Sequence, residues 1–270
     1  MAQTDTLNHS FAAFACELAG AAGLAIMPHY RKPLQVHNKL PLSGFDPVTA
    51  ADRAAEMAIR ELIEQRWPDH GIIGEEFGTL RPEAEHLWVI DPVDGTRAFM
   101  SGMPTWGTLI GLLHRGQPVL GVLDQPYLGE RFIGDMTQSW RTGRLGQAQL
   151  QTRKAVALSN AIIWASSSIT SNPAMFAAMQ YLGQHVRMLR YGSDCIAMAM
   201  LAEGHIDAVI EIGLEIYDIA AQVPIVTGAG GVITALDGTA PLSASSILAA
   251  GDQSLHDAIR TTIRQHTEHS

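Results

Sequence analysis

Two aspartates, Asp91 and Asp94, stand three residues apart in the stretch LWVIDPVDGTRAF, directly after the apolar run from Leu87 to Ile90. This run has the length and the flanking turn residues of a short buried strand, so Asp91 should stand where the strand leaves the core. An unpaired carboxylate at such a place is costly. We therefore expect a positive partner for these aspartates, either an arginine or a metal ion.

Other carboxylates in the chain favour a hard cation as that partner. Glu75 and Glu76 follow the predicted strand GIIG, and Asp218 opens a predicted helix after EIGLEIY. Clusters that offer only oxygen ligands suit Mg²⁺. The ring of Pro92 should stiffen the turn after the strand, so that the carboxylates of Asp91 and Asp94 converge and the Val93 carbonyl points the same way.

A phosphate site is predicted beside these acids. Gly95 and Thr96 begin a predicted short helix, and the free N–H groups at a helix start bind phosphate, which makes Asp94, Gly95 and Thr96 candidate phosphate-binding residues. A purely structural interpretation remains open, in which Asp91 and Pro92 form a turn and Asp94 caps the helix. The same choice holds for Asp52, which with Thr49 resembles a capping box.

The elements that would position these residues form two different patterns. Residues 1–145 read as an α+β half, with a helix over 47–66 and a meander of strands after residue 105. Residues 146–270 alternate strands and helices, which is typical of an α/β half. The polar, glycine-containing stretch from Ser139 to Thr152 is the predicted boundary.

Composition limits the class of protein. The formal net charge is −9, from 27 acidic and 18 basic residues, and the basic residues are scattered, so we expect no nucleic-acid or membrane partner. Cys16 and Cys195 form neither a disulfide framework nor a zinc-binding spacing, which suits a reducing cytosol. The apolar stretch from Phe11 to Met27 contains Glu17 and lacks a basic segment ahead of it. We therefore predict a buried first helix in a cytoplasmic protein.

The motifs DPVDGT, GEE and YDIAA resemble, together, the metal-binding signature of the inositol monophosphatase family. Tyr217 stands where many members have tryptophan. The resemblance implies a layered αβαβα sandwich, a homodimer, and Mg²⁺-dependent hydrolysis of a small phosphorylated metabolite with two or three ions per active site. By motif, the implied metal ligands are Glu75, Asp91, the Val93 carbonyl, Asp94 and Asp218. The implied catalytic residues are Glu75, Thr96 and Asp52, with the last two paired to orient the attacking water.

The longer stretches around these motifs resemble the histidinol-phosphatase branch of that family. Histidinol phosphate carries an amine and an imidazole, so its pocket should offer carboxylates. The candidate substrate-binding residues are Arg97, Arg190, Asp194, Glu211 and Asp218. Structural alternatives remain open: Asp194 could balance a helix dipole, Glu211 could be an exposed residue at a strand end, and Arg190 could pair with one of these acids. Glu215 departs from the branch, which has a basic residue followed by proline there. An inositol phosphate, or a nucleotide 3′-phosphate, is the alternative substrate, and a non-catalytic regulator of the same fold is a remote alternative.

Overall fold

The computed structural model describes residues 2–33, 36–38 and 47–267. The α-helices are α1 Ala2–Ile26, α2 Ala50–Arg66, α3 Thr96–Ser101, α4 Pro173–Gly183, α5 Ile196–Ala202, α6 Ile216–Ile219, α7 Gln222–Gly228 and α8 Gln253–Thr267. The strands are β1 Val36–Asn38, β2 Pro47–Thr49, β3 Gly71–Gly74, β4 Gly78–Leu80, β5 His86–Asp94, β6 Gly107–His114, β7 Gln117–Gln125, β8 Glu130–Gly134, β9 Ser139–Gly143, β10 Ala148–Gln149, β11 Ile162–Ala165, β12 Met188–Tyr191, β13 Ala208–Ile212, β14 Val232–Ala235 and β15 Ser246–Ala250. Short 3₁₀ turns cover Leu158–Asn160, Ser167–Ser171 and Pro241–Ser243.

The first large sheet has the strand order β10-β9-β8-β7-β6-β5-β3-β4. Strands β5 to β9 form the predicted antiparallel meander, whereas β3 runs parallel to β5. Helices α1 and α2 pack on one face of this sheet. Helix α2 begins at Ala50 because Thr49 and Asp52 form the predicted reciprocal capping box, and its buried residues Ile59 and Ile63 recur at the helical spacing.

The second sheet has the order β12-β11-β13-β15-β14, with β11 parallel to β12 and β13. Helices α4 and α8 cover one face and share a core with β11, β13 and β15. The opposite face packs on α5 and α7, which also contact the first sheet. The five layers confirm the predicted αβαβα sandwich of α+β and α/β parts.

Glycines let α7 approach the first sheet closely. Gly111, Gly121 and Gly134 are cross-strand neighbours on β6, β7 and β8. A Cβ atom on Gly121 would lie 1.9 Å from the carbonyl oxygen of Ala221, which no side chain tolerates. This close approach places α6, the helix just before α7, next to the end of β5.

The predicted boundary stretch, residues 139–152, contains β9 and β10, which are the last strands of the first sheet. Sheet membership changes between Gln149 and Ile162. The apolar first helix buries Phe14, Leu18 and Ile26 against the sheet. Within the described ranges, no helix combines the length and the apolar character that crossing a membrane requires.

Candidate metal and phosphate site

A β-bulge in β5 brings the two motif aspartates to one face of the sheet. Asp91 pairs with Leu109 and Asp94 with Gly107, so two residues of β5 oppose one residue of β6. In a regular strand, side chains three residues apart point to opposite faces, and the extra residue of a bulge restores the same face. The predicted turn at Pro92 is therefore wrong for the backbone, because the strand continues to Asp94, although Asp91 Oδ1 accepts the Val93 N–H across Pro92 as in an Asx turn. Proline is tolerated here because a bulge leaves its position without a ladder donor.

Hydrogen bonds hold the bulge in place. The Thr108 hydroxyl donates to the Pro92 carbonyl oxygen at 2.8 Å, and the Val93 N–H donates to Asp91 Oδ1 at 3.0 Å. The alternative of a helix cap at Asp94 is also wrong, since α3 has Gly95 at its N-cap and no capping side chain. The carboxylate of Asp94 is thus available to the site.

Asp218, from a distant part of the chain, meets Asp91 and Asp94 at this bulge. One carboxylate oxygen each from Asp91, Asp94 and Asp218 lie within 4.8 Å of one another. Asp218 sits in the first turn of α6, where its Oδ2 accepts the Glu215 N–H at 2.7 Å. Burial, reinforced by the neighbouring acids, holds the pKa values of Asp91 and Asp94 well above the usual range. Such crowded, buried carboxylates are stable as anions only with a cation between them.

Glu75 and Tyr217 stand beside this trio. Glu75 lies in the turn between β3 and β4, and its N–H donates to the Ile90 carbonyl oxygen at 3.2 Å, one residue before Asp91. After burial, the charge of Glu75 is the main cause that raises the pKa of Asp91. Burial and the same charge also raise the pKa of Tyr217. The structure therefore brings Glu75 to the trio.

The resemblance implies that Thr96 and Asp52 pair with each other, but each has a different hydrogen-bond partner in the structure. The Thr96 hydroxyl donates to the Val93 carbonyl oxygen at 3.2 Å, and Asp52 Oδ2 accepts both the N–H and the hydroxyl of Thr49. Asp52 Oδ1 is buried and accepts no hydrogen bond from the described residues. Burial raises the pKa of Asp52 to about 6. Asp52 therefore keeps one spare acceptor while it caps α2.

An open cavity of about 580 Å³ is lined by two members of the trio, Asp94 and Asp218, whereas Asp91 is buried beneath it. Acids, helix-start residues and the tyrosine named above line this cavity: Glu75, Asp94, Gly95, Thr96, Tyr217 and Asp218. Two further acids, Asp194 and Glu211, line it as well. The Thr105 hydroxyl donates to Asp194 Oδ2 at 2.6 Å. Burial, followed by the charges of Asp218 and Asp194, raises the pKa of Glu211 to about 8. Glu211 lies within β13 and is 5% exposed, so it is a buried strand residue and not an exposed one at a strand end.

The two predicted arginines have different positions. Arg97 is exposed and lines the cavity. Arg190 lies on the edge strand β12, and its guanidinium stacks over the Trp164 ring at 4.8 Å from the ring centre. It does not line the cavity of this chain. Edge position and aromatic stacking, neither visible in the sequence, decide its location.

Sequence reasoning passed over several residues that line the cavity. Ser166 and Ser168 follow β11, and their hydroxyls share a hydrogen bond of 2.8 Å. The signal that could have identified them is their place after a parallel strand, since ligands bind at the carboxyl ends of such strands. Glu215, noted only as a departure from the branch, also lines the cavity. It adds a carboxylate beside Asp218.

The residues present fit a hard divalent cation. Each member of the trio offers a carboxylate oxygen. Glu75, which also lines the cavity, stands outside this cluster, and the predicted Val93 carbonyl accepts the Thr96 hydroxyl. The trio itself offers only oxygen. The buried Cys195 thiol donates a hydrogen bond to Asp94, and burial followed by the charge of Asp94 raises the pKa of that thiol well above its usual range, so it is not a thiolate ligand. This donor set matches Mg²⁺ or Mn²⁺ and disfavours zinc, which takes nitrogen and sulfur ligands.

Comparison with known proteins agrees with this site. The sequence profile of the inositol monophosphatase family matches residues 7–268. A bifunctional phosphatase of Arabidopsis thaliana, IMPL2, is 38% identical over 97% of this chain and 78% of its own length. A histidinol-phosphatase of Streptomyces coelicolor is 34% identical over 92% of this chain and 94% of its own. A solved inositol monophosphatase from Zymomonas mobilis is 37% identical, with a TM-score of 0.83 over 95% of this chain and 98% of that one. The fold, the carboxylate site and these matches together place the chain in the inositol monophosphatase family.

Proposed function

We propose that this protein is a Mg²⁺-dependent phosphomonoesterase that hydrolyses L-histidinol phosphate to L-histidinol and phosphate. The observation that carries the proposal is a single cavity in which Asp94 and Asp218 of the aspartate trio adjoin two further acids, Asp194 and Glu211. The trio suits metal ions and the phosphate they bind. The further acids suit an amine or an imidazole, because charge-assisted hydrogen bonds favour cations beside carboxylates.

The proposed ligands of the metal ions are Glu75, Asp91, the Val93 carbonyl, Asp94 and Asp218. Bound Mg²⁺ would neutralise these acids, polarise the phosphoryl group and make the attacking water more acidic. The N–H groups of Gly95 and Thr96 would bind phosphate oxygens at the start of α3.

Protons would move through the chain's own residues. Glu75 and the Thr96 hydroxyl would orient the water for in-line attack on phosphorus. Thr96 would take a proton from this water as it passes its own hydroxyl proton to the spare Oδ1 of Asp52, and the leaving alkoxide would take a proton from solvent in the open cavity as its P–O bond breaks. The proposal requires Thr96 to turn from the Val93 carbonyl towards Asp52. Contacts between α3 and β2, which directly precedes α2, support this rearrangement.

The second candidate is hydrolysis of an inositol monophosphate. The 37% identity to the inositol monophosphatase of Zymomonas mobilis favours it, as does the 580 Å³ cavity, which a sugar-sized ring fits. A ring of hydroxyls needs hydrogen-bonding groups but no charge, so the two further acids, Asp194 and Glu211, favour histidinol phosphate. A regulator without turnover is disfavoured because the motif acids are all present.

The test is phosphate release from histidinol phosphate and from inositol 1-phosphate, each with Mg²⁺ and with a chelator. We expect the larger kcat/KM on histidinol phosphate and no release after chelation. A preference for inositol 1-phosphate would contradict the substrate, and undiminished release without metal would contradict the mechanism. We also propose that the enzyme is cytoplasmic and that it is a homodimer. Light scattering of the purified protein would test the dimer.

A further inference from the structure

The turn that carries Glu75 is built around another carboxylate, Glu56 of α2. Glu56 is fully buried. Its Oε2 accepts the Glu76 N–H at 2.7 Å and its Oε1 accepts the Phe77 N–H at 3.2 Å. Since the Glu75 N–H is held by Ile90, every backbone donor of the turn from Glu75 to Phe77 is occupied.

Arg60, one helical turn further along α2, links this carboxylate to the far side of the hairpin. Its Nε donates to Glu56 Oε1 at 2.8 Å, and its Nη2 donates to the Gly78 carbonyl oxygen at the start of β4. The Arg60 side chain is only 15% exposed. A buried carboxylate with three charge-assisted partners has little freedom to move. It therefore fixes the position of the turn relative to α2.

The Glu56 carboxylate packs against the last residue of β3, Gly74, and leaves no room for a side chain there. A Cβ atom on Gly74 would lie 2.0 Å from Glu56 Oε1 and 2.8 Å from an Arg60 nitrogen. Gly74 directly precedes Glu75, so the backbone next to the proposed ligand rests on the Glu56 carboxylate. The contact joins α2, which Asp52 caps, to the strand end beside Asp91.

We infer that Glu56 is a positioning residue: it touches neither metal nor substrate, and it holds the Glu75 turn in the geometry that binds the cation. The inference rests on the proposed metal-dependent function. Residues that orient metal ligands typically change metal affinity or activity by about 10–100-fold when they are replaced. A carboxylate that served only to stabilise the fold would change unfolding without this loss.

The first variant is Glu56→Gln, which keeps the size of the side chain but replaces one acceptor oxygen with a donor. Glu61→Gln is the matched control, because Glu61 is an exposed residue of the same helix. Mg²⁺ binding to each purified protein is measured by calorimetry, with circular dichroism to verify the fold. We expect Mg²⁺ affinity to fall about tenfold or more for Glu56→Gln and to be unchanged for Glu61→Gln. Saturating Mg²⁺ should restore most of kcat and leave KM for the phosphoester near the original value.

A second variant covers the case in which Glu56→Gln does not fold. Gly74→Ala pushes on the same carboxylate from the other side and should weaken Mg²⁺ binding by a similar factor. This variant leaves Glu56 in place, so it does not depend on the folding of a Glu56 variant. A folded Gly74→Ala protein that binds Mg²⁺ with wild-type affinity would overturn the inference.

Wild-type measurements separate this inference from the proposed function. If the wild-type protein binds Mg²⁺ and releases phosphate while Glu56→Gln binds Mg²⁺ with unchanged affinity, the inference about Glu56 is wrong and the proposed function stands. If the wild-type protein neither binds Mg²⁺ nor releases phosphate, the proposed function fails and the inference fails with it. Faster hydrogen exchange at the Glu76 and Phe77 amides in Glu56→Gln, with other amides unchanged, is the expected supporting result.

Discussion

Carboxyl groups of the site are buried and repel one another, and both effects raise their pKa values. Asp91, Asp94 and Glu211 all have raised pKa values, first because they are buried and then because acids surround them. Removing one negative charge from this cluster weakens cation binding. It costs the fold little, because the remaining acids then repel one another less. Substitutions that keep side-chain size therefore test function separately from stability.

Asp94→Asn should lower kcat/KM by several orders of magnitude while circular dichroism remains that of the wild type. A neutral amide is a far poorer ligand for a hard cation than a carboxylate. Steady-state kinetics over a range of Mg²⁺ concentrations measure the effect, with Asp257→Asn on the exposed face of α8 as the control. Near-normal activity at low Mg²⁺ would show that Asp94 is only a structural residue of the bulge.

Glu211→Gln should reduce selectivity for histidinol phosphate over glycerol phosphate by about one to two orders of magnitude. A charge-assisted hydrogen bond contributes roughly 1.5–3 kcal/mol, and each 1.36 kcal/mol is about tenfold in rate. Glycerol phosphate lacks the amine, so its hydrolysis should persist. The measurement is kcat/KM on both esters; equal losses would place Glu211 among the groups that support the metal site, and no loss would remove it from the substrate pocket.

At the scale of secondary structure, two irregularities assemble the site. The bulge at Pro92 turns Asp91 and Asp94 to one face, and the glycine row on β6, β7 and β8 seats α7 so that Asp218 reaches them. A regular strand would place Asp91 and Asp94 on opposite faces, and larger side chains in place of the glycines would hold α7 away from the sheet. The elements are therefore coupled, and a change under α7 should be felt at the metal site.

Gly121→Val should lower the free energy of unfolding by about 1–3 kcal/mol or more, because overpacking a close contact costs this much. The new side chain would collide with the Ala221 carbonyl and displace α7, so Mg²⁺ affinity should fall as well. Gly20→Ala in α1 is the control, since no other heavy atom approaches its Cβ position within 4 Å. Urea denaturation and Mg²⁺ titration measure both effects. A Gly121→Val protein as stable as the control would show that α7 tolerates the added volume.

At the scale of the whole molecule, a column of aromatic rings closes the far end of the first sheet. His70 stacks between Trp67 and His86, at 5.0 and 4.8 Å between ring centres, and His86 stacks on His114 at 4.7 Å. The Trp88 Nε1–H donates to His70 Nδ1, which requires a neutral ring. Burial, then the neighbouring His86, lowers the pKa of His70 to about 4.

The pKa of His70 predicts a loss of stability in acid. Its folded pKa lies below the unfolded value of 6.5, so the unfolded chain binds the proton first, and stability decreases as pH falls from about 6.5 to about 4. The full contribution is about 3 kcal/mol. Acids with raised pKa values oppose this trend, so the comparison must use a variant.

His70→Gln keeps an acceptor for Trp88 but cannot titrate. The stability advantage of the wild type over this variant should shrink by about 3 kcal/mol between pH 7 and pH 4, as measured by urea denaturation. His205→Gln, at a side chain that is 63% exposed, is the control. An advantage that stays constant across this range would contradict the lowered pKa.

Most elements of the fold could be predicted from the sequence. The alternation after residue 155, the meander and the capping box at Thr49 depend on neighbouring residues, and hydrophobic period and cap chemistry are local properties. The identity of the motif acids, and through them the family, was also readable from the sequence. Function could be predicted as far as metal-dependent phosphoester hydrolysis because that chemistry needs particular residue types.

Tertiary structure alone decided how these residues meet. Whether Asp91 and Asp94 share a face depends on the pairing of β5 with β6, and the stacking of Arg190 on Trp164 depends on which strand lies at the sheet edge. Glu56 and the N–H of Glu76, 20 residues apart, meet only because α2 packs under the β3–β4 turn. These contacts are long-range, so no window of neighbouring residues contains the partners that determine them.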